Sequence, residues 1–257
     1  MDHEKLKEQY RHEFDPASYL EMVKKDKWLY LFYQRQLHTI VSCDVLREGG
    51  SFLEFGCGPT PFNVFPFTRK WQAIVQCEYL EQNRRALQTW INNDADALDW
   101  SFLAESQARL EGYSDIKVGC CNIQERTRRA IKHVVPCDVY DMTVLPQEHR
   151  GVYDVLFTSL CFEGAAMDLD AYNTAVFNVT ELVKRGGHIV QCGVLGCKAY
   201  TVGHAVFGTM SLTEDIVKTA LRKVGFEILR WEVDEPKATE NYESEYDSAF
   251  VVVAVKA

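Results

Sequence analysis

The chain lacks any uninterrupted apolar stretch of the ~20 residues that crossing a bilayer requires. Its opening segment, Met1 to Arg11, is charged and has no apolar centre of the kind a secretory leader carries. Positive charge is also scarce: 28 Lys and Arg face 37 Asp and Glu, a net charge of −9. Phosphate backbones and anionic membranes need clustered cations, so neither nucleic acid nor membrane is expected as a partner. The one basic run, Arg126, Arg128, Arg129 and Lys132, has the spacing of a solvated helix face. Nine cysteines occur without a CxxC pair or a repeated spacing, which removes a zinc site and a disulfide framework, and no metal is expected. Most sit inside apolar runs, such as Cys77 in Ile74–Cys77 and Cys192 in His188–Cys192, and read as buried, reduced thiols of a cytoplasmic protein.

What is present is an ordinary globular mix of 47% hydrophobic and 25% charged residues over 257 positions, enough to bury one large α/β core. We expect a single domain over 1–257, with a helical cap over 1–48 and a core over 49–257. In the cap, Leu29, Phe32, Tyr33, Leu37 and Ile40 recur at three-to-four spacing, and Gly49-Gly50 ends the pattern. Apolar β-type runs follow at Ser51–Phe55, Ala73–Cys77, Val134-Val135 leading into Cys137–Tyr140, Tyr153–Thr158, His188–Cys192, Phe226–Val233 and Phe250–Val255. Helical stretches separate most of them: Glu81–Asn92, Ser106–Glu111 with Gln124–Lys132, Asp170–Lys184 and Thr213–Val224. Alternating strands and helices imply βαβ units and a mostly parallel sheet with helices on both faces. The last two strands have only the polar, Pro236-containing connector Asp234–Ser248 between them and are predicted to pair as an antiparallel hairpin.

The sharpest local feature is Leu53-Glu54-Phe55-Gly56-Cys57-Gly58-Pro59-Thr60, directly after the first strand. Two glycines two apart allow a tight turn and a close approach of backbone to ligand. The second strand ends at Glu78, placed to accept hydrogen bonds from both hydroxyls of a ribose. No third glycine follows Gly58, which disfavours a pyrophosphate-binding turn and a nicotinamide cofactor. Asp138 follows the third strand and reads either as an adenine contact or as a turn aspartate. Glu163 lies in the otherwise apolar run Val155–Ala166, near the carboxyl end of the fourth strand. It reads either as a ligand-facing carboxylate or as a helix-cap or surface glutamate.

Taken together, Phe14-Asp15-Pro16-Ala17-Ser18-Tyr19-Leu20, Phe55-Gly56-Cys57-Gly58-Pro59-Thr60, Glu78-Tyr79-Leu80-Glu81-Gln82-Asn83, Asp99-Trp100-Ser101, Cys137-Asp138-Val139 and Lys184-Arg185-Gly186-Gly187 resemble the nicotinamide, phenylethanolamine and indolethylamine N-methyltransferase family. The motifs occur in order along nearly the whole chain. The resemblance implies a Rossmann-like class I methyltransferase fold: a seven-stranded, mostly parallel sheet, an antiparallel C-terminal hairpin and an N-terminal helical lid. It implies S-adenosyl-L-methionine as methyl donor and S-adenosyl-L-homocysteine as product. By the same resemblance Tyr19 contacts the methionine part of the donor, Gly56, Cys57 and Gly58 line its backbone, and Thr60 binds its carboxylate. Phe62 stands where a tyrosine is usual. Glu78 takes the ribose, Asn83 lies beside it, Tyr79 stacks on adenine, Asp138 and Val139 hold the adenine edge, and Ser159 touches the donor. Lys24 replaces a second donor-binding tyrosine.

On the substrate side the resemblance gives Glu163 as the acid facing an amine, Tyr200 as a pocket tyrosine and Glu245 as a second acid before the last strand. Gly193 stands where the nicotinamide enzyme has an amide-holding aspartate, and Cys197 where the phenylethanolamine enzyme has a further glutamate. Glu163 and Glu245 are the expected catalytic residues, because an aliphatic ammonium must lose a proton before its nitrogen can be methylated. The expected substrate is a small arylalkylamine-like amine and the expected state a monomer. Methylation of nicotinamide or another pyridine, and a noncatalytic donor-binding relative, are the alternatives.

Overall fold

The computed structural model of the chain describes residues 3–43, 45, 46, 48–234 and 245–257. Three helices come first: α1 (His3–Glu13), α2 (Pro16–Lys25) and α3 (Lys27–Ser42). Asp15 starts α2, accepting from the Ser18 N–H at 2.7 Å with Pro16 at the first helical position. In α3 the expected apolar stripe is buried, including Leu29, Phe32, Tyr33, Leu37 and Ile40.

The core alternates as expected. Its elements in chain order are β1 (Phe52–Phe55), β2 (Ile74–Glu78), α4 (Glu81–Asn92), α5 (Ser101–Leu110), α6 (Ile116–Ala130), β3 (Ile131–Pro136), β4 (Tyr153–Ser159), α7 (Phe162–Ala165), α8 (Leu169–Thr180) and β5 (Val183–Leu195). Then come β6 (Ala199–Val202), β7 (Ala205–Gly208), α9 (Glu214–Lys223), β8 (Phe226–Asp234) and β9 (Ser248–Lys256). Among the described residues, seven strands form one sheet in the order β3-β2-β1-β4-β5-β9-β8. β1 to β5 run parallel, whereas β9 is antiparallel to both β5 and β8. The order reverses direction between β1 and β4, and the crevice beyond the carboxyl ends of such a pair is where open α/β sheets bind ligands.

Helices cover both faces, and the strands divide their side chains between two cores. Along β9, Ala249, Val251 and Val253 join the core beneath the lid helices, while Phe250, Val252 and Ala254 join the core on the other face. The predicted hairpin is β8–β9; most of its connector, residues 235–244 with Pro236, lies outside the described residues.

Several boundaries differ from the sequence reading. The third strand starts earlier and stops at Pro136, so Cys137–Tyr140 is a loop: proline ends the ladder, and Asp138 closes a turn by accepting from the Tyr140 N–H at 2.9 Å. Lys132 therefore belongs to β3 rather than to a helix face with Arg126, Arg128 and Arg129. The helix predicted to Lys184 ends at Thr180, and Val183 to Leu195 form one long strand. The small β6–β7 hairpin was not foreseen, because Ala199–Gly208 lacks a strong apolar alternation.

Candidate active site

A cleft of about 1000 Å³ opens at the carboxyl ends of β1, β2 and β4. Its walls bring together Tyr19, Gly56, Cys57, Gly58, Glu78, Tyr79, Asn83, Asp138, Val139, Ser159 and Tyr200, which the sequence scatters over 180 positions. The loop after β1 adopts the shape its glycines allow: Gly56 and Gly58 have φ of 68° and 62°. A Cβ on Gly56 would strike the Cys161 thiol, so the loop and the start of the β4–α7 turn are in close contact. The Cys57 N–H donates to the Cys77 carbonyl at 3.0 Å, fixing the loop against β2.

Glu78 is the polar centre of this cleft. Its carboxylate is 7% exposed. It accepts from the Gly58 N–H at 3.0 Å, the Leu80 N–H at 2.9 Å and the Asn83 amide at 3.1 Å. Burial raises its pKa, and the Leu80, Asn83 and Gly58 donors and the Arg84 guanidinium oppose that rise. An acid held at the tip of β2 with one edge on the cleft suits two vicinal hydroxyls. Glu78 and Asp138 both face the cleft, and its lysine, Lys7, is bound to Asp138 at 2.8 Å. A pyrophosphate would meet negative charge there, whereas a phosphate-free nucleoside with a cationic sulfur fits.

The end of the cleft beside Tyr79 and Asp138 shows residues that motif reading missed. Lys7 and Arg11 project from α1. The Lys7 ammonium lies 5.9 Å and 5.6 Å from the ring centres of Tyr79 and Tyr140, and Arg11 donates to the Tyr79 hydroxyl. Asp138 is both a turn aspartate and part of the cleft wall, so its two readings coexist. Helix α1 carries no motif, and only its charged face at four-residue spacing, Lys7 and Arg11, hinted at a contact surface.

Thr60 and Phe62 fall behind the wall rather than in it. The Thr60 hydroxyl is buried and donates to the Cys57 carbonyl at 2.6 Å, while also accepting from the Asn63 amide at 3.2 Å. Phe62 packs edge-on against Tyr30 and tilted against Trp100, 5.5 Å and 5.0 Å between ring centres. With no hydroxyl it is a core residue, and Asn63 is the member of this turn that reaches the cleft.

A second cavity, of about 510 Å³, adjoins the first. Tyr19, Tyr30, Leu160 and Tyr200 line both. Its remaining walls come from the lid (Met22, Asp26, Leu29), the core (Glu163, Val194, Cys197, Thr209) and Tyr246 before β9. Glu163 sits in α7 and is 3% exposed, so it is no surface glutamate. Its Oε1 accepts from the Val194 N–H at 3.4 Å, and its Oε2 has no hydrogen-bond partner among the described residues. Burial pushes its pKa up to about 7, against the Glu163 and Val194 N–H groups. Tyr200 shares a 2.8 Å hydroxyl contact with Tyr10, which donates to the Gly164 carbonyl at 3.1 Å. Burial raises the Tyr19 pKa to about 12 and holds those of Tyr30 and Tyr200 well above the usual tyrosine value, so all three keep their protons.

The other substrate-side expectations divide. Cys197 lines the second cavity. Gly193 stands behind Glu163: a Cβ there would lie 2.6 Å from the Phe250 ring and 2.8 Å from Glu163 Oε1. A side chain at 193 and the observed Glu163 carboxylate compete for one volume, which explains why a bare glycine accompanies Glu163. Glu245 is exposed and lies outside both sets of lining residues; its neighbour Tyr246 occupies the cavity wall instead. A one-residue offset in a strand-like approach turns a side chain to the opposite side. Asp26, Tyr30 and Tyr246 were missed. For Asp26 a signal existed, an acid between two helices with apolar neighbours at Met22, Val23 and Leu29.

Fold and cleft together define a class I S-adenosylmethionine-dependent methyltransferase. Similar solved structures include magnesium protoporphyrin IX methyltransferase from Synechocystis PCC 6803 with bound SAM (TM-score 0.61, 11% identity, 100% of this chain and 98% of that one). The glycopeptide N-methyltransferase MtfA complexed with sinefungin is also similar (TM-score 0.54, 13% identity, 87% and 92%). Residues 3–257 match the NNMT/PNMT/TEMT family model, and the chain belongs to that family. Among its relatives are nicotinamide N-methyltransferase of Sus scrofa, 29% identical over 88% of this chain and 87% of the relative. Indolethylamine N-methyltransferase of Mus musculus is 27% identical over 95% and 94%.

Proposed function

We propose that this methyltransferase acts on the nitrogen of a small alkyl amine seated in the second cavity, with Glu163 as the base. The observation that carries the reading is the unpartnered Oε2 of a buried Glu163, at a cavity joined to the donor cleft. A buried carboxylate oxygen without a donor is costly, and an ammonium supplies both the missing hydrogen bond and the countercharge.

When bound, S-adenosylmethionine supplies a methyl group on a sulfonium: the new N–CH3 bond forms as the S–CH3 bond breaks, and the sulfur keeps the electron pair. The chain's own residues prepare the acceptor. Glu163 orients the ammonium and takes one of its protons, which exposes the nitrogen lone pair. With its pKa near 7 it is divided between the two forms at neutral pH, as suits a group that gains and then releases a proton. Tyr19, Tyr30 and Tyr200 remain neutral and screen the shared boundary from water without competing for the proton. Relatives named for amine substrates and the mixed acidic and apolar lining of the cavity support an arylalkylamine-like acceptor. Nine free cysteines support a reducing, cytoplasmic setting, and the net charge of −9 supports a small-molecule rather than a nucleic-acid partner. We take the working unit to be a monomer.

The test is methyl transfer from labelled donor to tryptamine, phenylethanolamines, nicotinamide and small thiols. Label is expected on alkyl amines, and label confined to thiols, to nicotinamide or to nothing contradicts the reading. Glu163→Gln is expected to lower kcat/KM for alkyl amines by roughly 100-fold or more. Donor affinity should stay within about threefold, since Glu163 lies outside the cleft lining. Equal loss of both would remove Glu163 from the role of base.

A further inference from the structure

We infer that Tyr33 is a positioning residue for Glu163: through the one peptide group that joins Gly193 to Val194, its hydroxyl sets the aim and strength of the N–H bond that holds the carboxylate. This rests on the amine reading above. The Tyr33 hydroxyl, on α3, donates to the Gly193 carbonyl at 2.8 Å, across 160 positions of sequence. At the other end of that same peptide group is the Val194 N–H, which donates to Glu163 Oε1 at 3.4 Å. Both contacts are buried. Tyr33 itself is 3% exposed and lies outside the lining of both cavities, so it acts through the peptide and not on the amine.

A peptide group is planar and conjugated, so a donor on its oxygen draws electron density from its nitrogen and makes the N–H a better donor. Strand pairing puts this N–H at a special place. β4 pairs with β5 only as far as Ser159 opposite Cys192, so Val194 lies beyond that ladder and meets the Glu163 carboxylate instead. The direction of Tyr33's influence follows. An N–H bond favours the ionised carboxylate, and the Val194 N–H already works against the effect of burial at Glu163. Removing the Tyr33 hydroxyl weakens that donor and raises Glu163 further. The other titratable groups around Glu163 are the thiols of Cys161, Cys192 and Cys197 and the Tyr172 hydroxyl, all raised by burial and neutral at pH 7. Asp26, Tyr19, Tyr30, Tyr200 and Tyr246 face it across the cavity and stay the same in every variant compared below.

The experiment reads the Glu163 proton directly and turnover separately. Ligand-free protein with carbon-labelled glutamate carboxyls is titrated by NMR, and Glu163→Gln assigns the Glu163 signal. In Tyr33→Phe the Glu163 midpoint is expected to rise by about half a unit or more, roughly a threefold gain in proton affinity. The acid limb of the pH profile of kcat/KM for alkyl amines should move up by the same amount, with the high-pH plateau held within about twofold. Tyr172→Phe removes a different buried hydroxyl near Glu163, one that accepts from the Gln191 amide at 3.4 Å, and should leave the midpoint in place. A ring-fluorinated tyrosine at position 33, a stronger donor, should move the midpoint down. A midpoint unmoved in Tyr33→Phe, or moved equally in Tyr172→Phe, overturns the inference, because loosened packing alone would then account for the change. Where Tyr33→Phe does not fold, the fluorinated protein decides: a downward shift supports the inference and no shift overturns it. A Tyr33-dependent midpoint in a protein whose amine turnover survives Glu163→Gln supports the inference while refuting Glu163 as the base. An unmoved midpoint with turnover lost in Glu163→Gln does the reverse.

Discussion

The two cavities meet at four shared residues yet are built in opposite ways. The donor cleft is made from backbone and strand ends, and its central acid is already satisfied: Glu78 receives hydrogen bonds from Gly58, Leu80 and Asn83. The second cavity is made from side chains contributed by lid, core and the β6–β7 region, and its acid is half-satisfied, with Val194 on one oxygen and none of the described residues on the other. A preorganised polar site binds its ligand at little reorganisation cost. A site with an orphaned charge leans on the ligand to complete it and so discriminates strongly among ligands. One region is thus built for a fixed partner, and the other sets specificity.

The largest effect expected from that contrast is on the donor side. Glu78→Ala removes the acceptor we propose for the ribose hydroxyls and also leaves the Gly58, Leu80 and Asn83 donors without their partner. Donor affinity by calorimetry is expected to fall by about 1000-fold, the scale of two or three charge-assisted hydrogen bonds. Loss below about tenfold, with the fold intact by circular dichroism, would show that the ribose lies elsewhere.

The same contrast explains what the sequence disclosed. The donor cleft was legible because its chemistry is tied to strand ends at fixed spacing: the Gly56–Gly58 turn, the acid closing β2 and the loop after β3 follow from the order of elements. Even there, Thr60 and Phe62 lie behind the cleft lining rather than in it, because one hydroxyl bonds its own turn and one ring joins the core. Lys7 was invisible because its contact with Asp138 spans 131 residues. The second cavity was read less well. Glu163 stood out as a charge in an apolar run, but Asp26 and Tyr246 come from a helix junction and a strand approach, where no periodicity says which way a side chain turns. The long β5 was underestimated since Lys184, Arg185 and Gly186-Gly187 break its apolar pattern.

A smaller effect sharpens the comparison from the substrate side. In Gly193→Ala the added methyl meets the Phe250 ring and Glu163 Oε1 at contact distances that a buried site cannot absorb without movement. Phe250 belongs to β9, which is paired on both sides, and is fully buried, so Glu163 is the group that yields. The expected cost is about 1–3 kcal/mol of stability, read as a Tm lowered by several degrees. Amine kcat/KM should fall by about tenfold through misplacement of the base, with donor affinity unchanged. An Ala variant with unaltered amine kinetics would mean that the observed position of Glu163 is not the working one.

The smallest effect is a dependence of stability on pH that assigns one acid to each region. Burial raises Glu163 to about 7 and Glu54, beneath the glycine loop and paired with Gln76 at 2.5 Å, to about 8, both from 4.5. Above pH 4.5 the unfolded chain gives up these protons while the folded chain keeps them, so the native state binds more protons than the unfolded one. Stability therefore falls as pH rises through this window; Glu78, also raised by burial, adds to the fall, and the buried thiols of Cys57, Cys77, Cys161 and Cys192, held well above their usual value, carry it on beyond about 8. The carboxylates held below their usual range, Asp99, Glu111 and Asp154, contribute on the acid side of the window and leave this slope alone. Thermal melts of ligand-free protein from pH 5 to 9 are expected to show a falling Tm. Glu163→Gln should flatten the part up to about 7, and Glu54→Gln the part that extends to about 8. A bound ammonium separates the two further. It stabilises only the ionised form of Glu163, so amine affinity should rise with pH up to about 7 and amine binding should release a proton below it. Donor affinity should not share that rise. If amine and donor affinities climbed in parallel, the two cavities would be titrating as one unit, and the division between a fixed site and a selective one would fail.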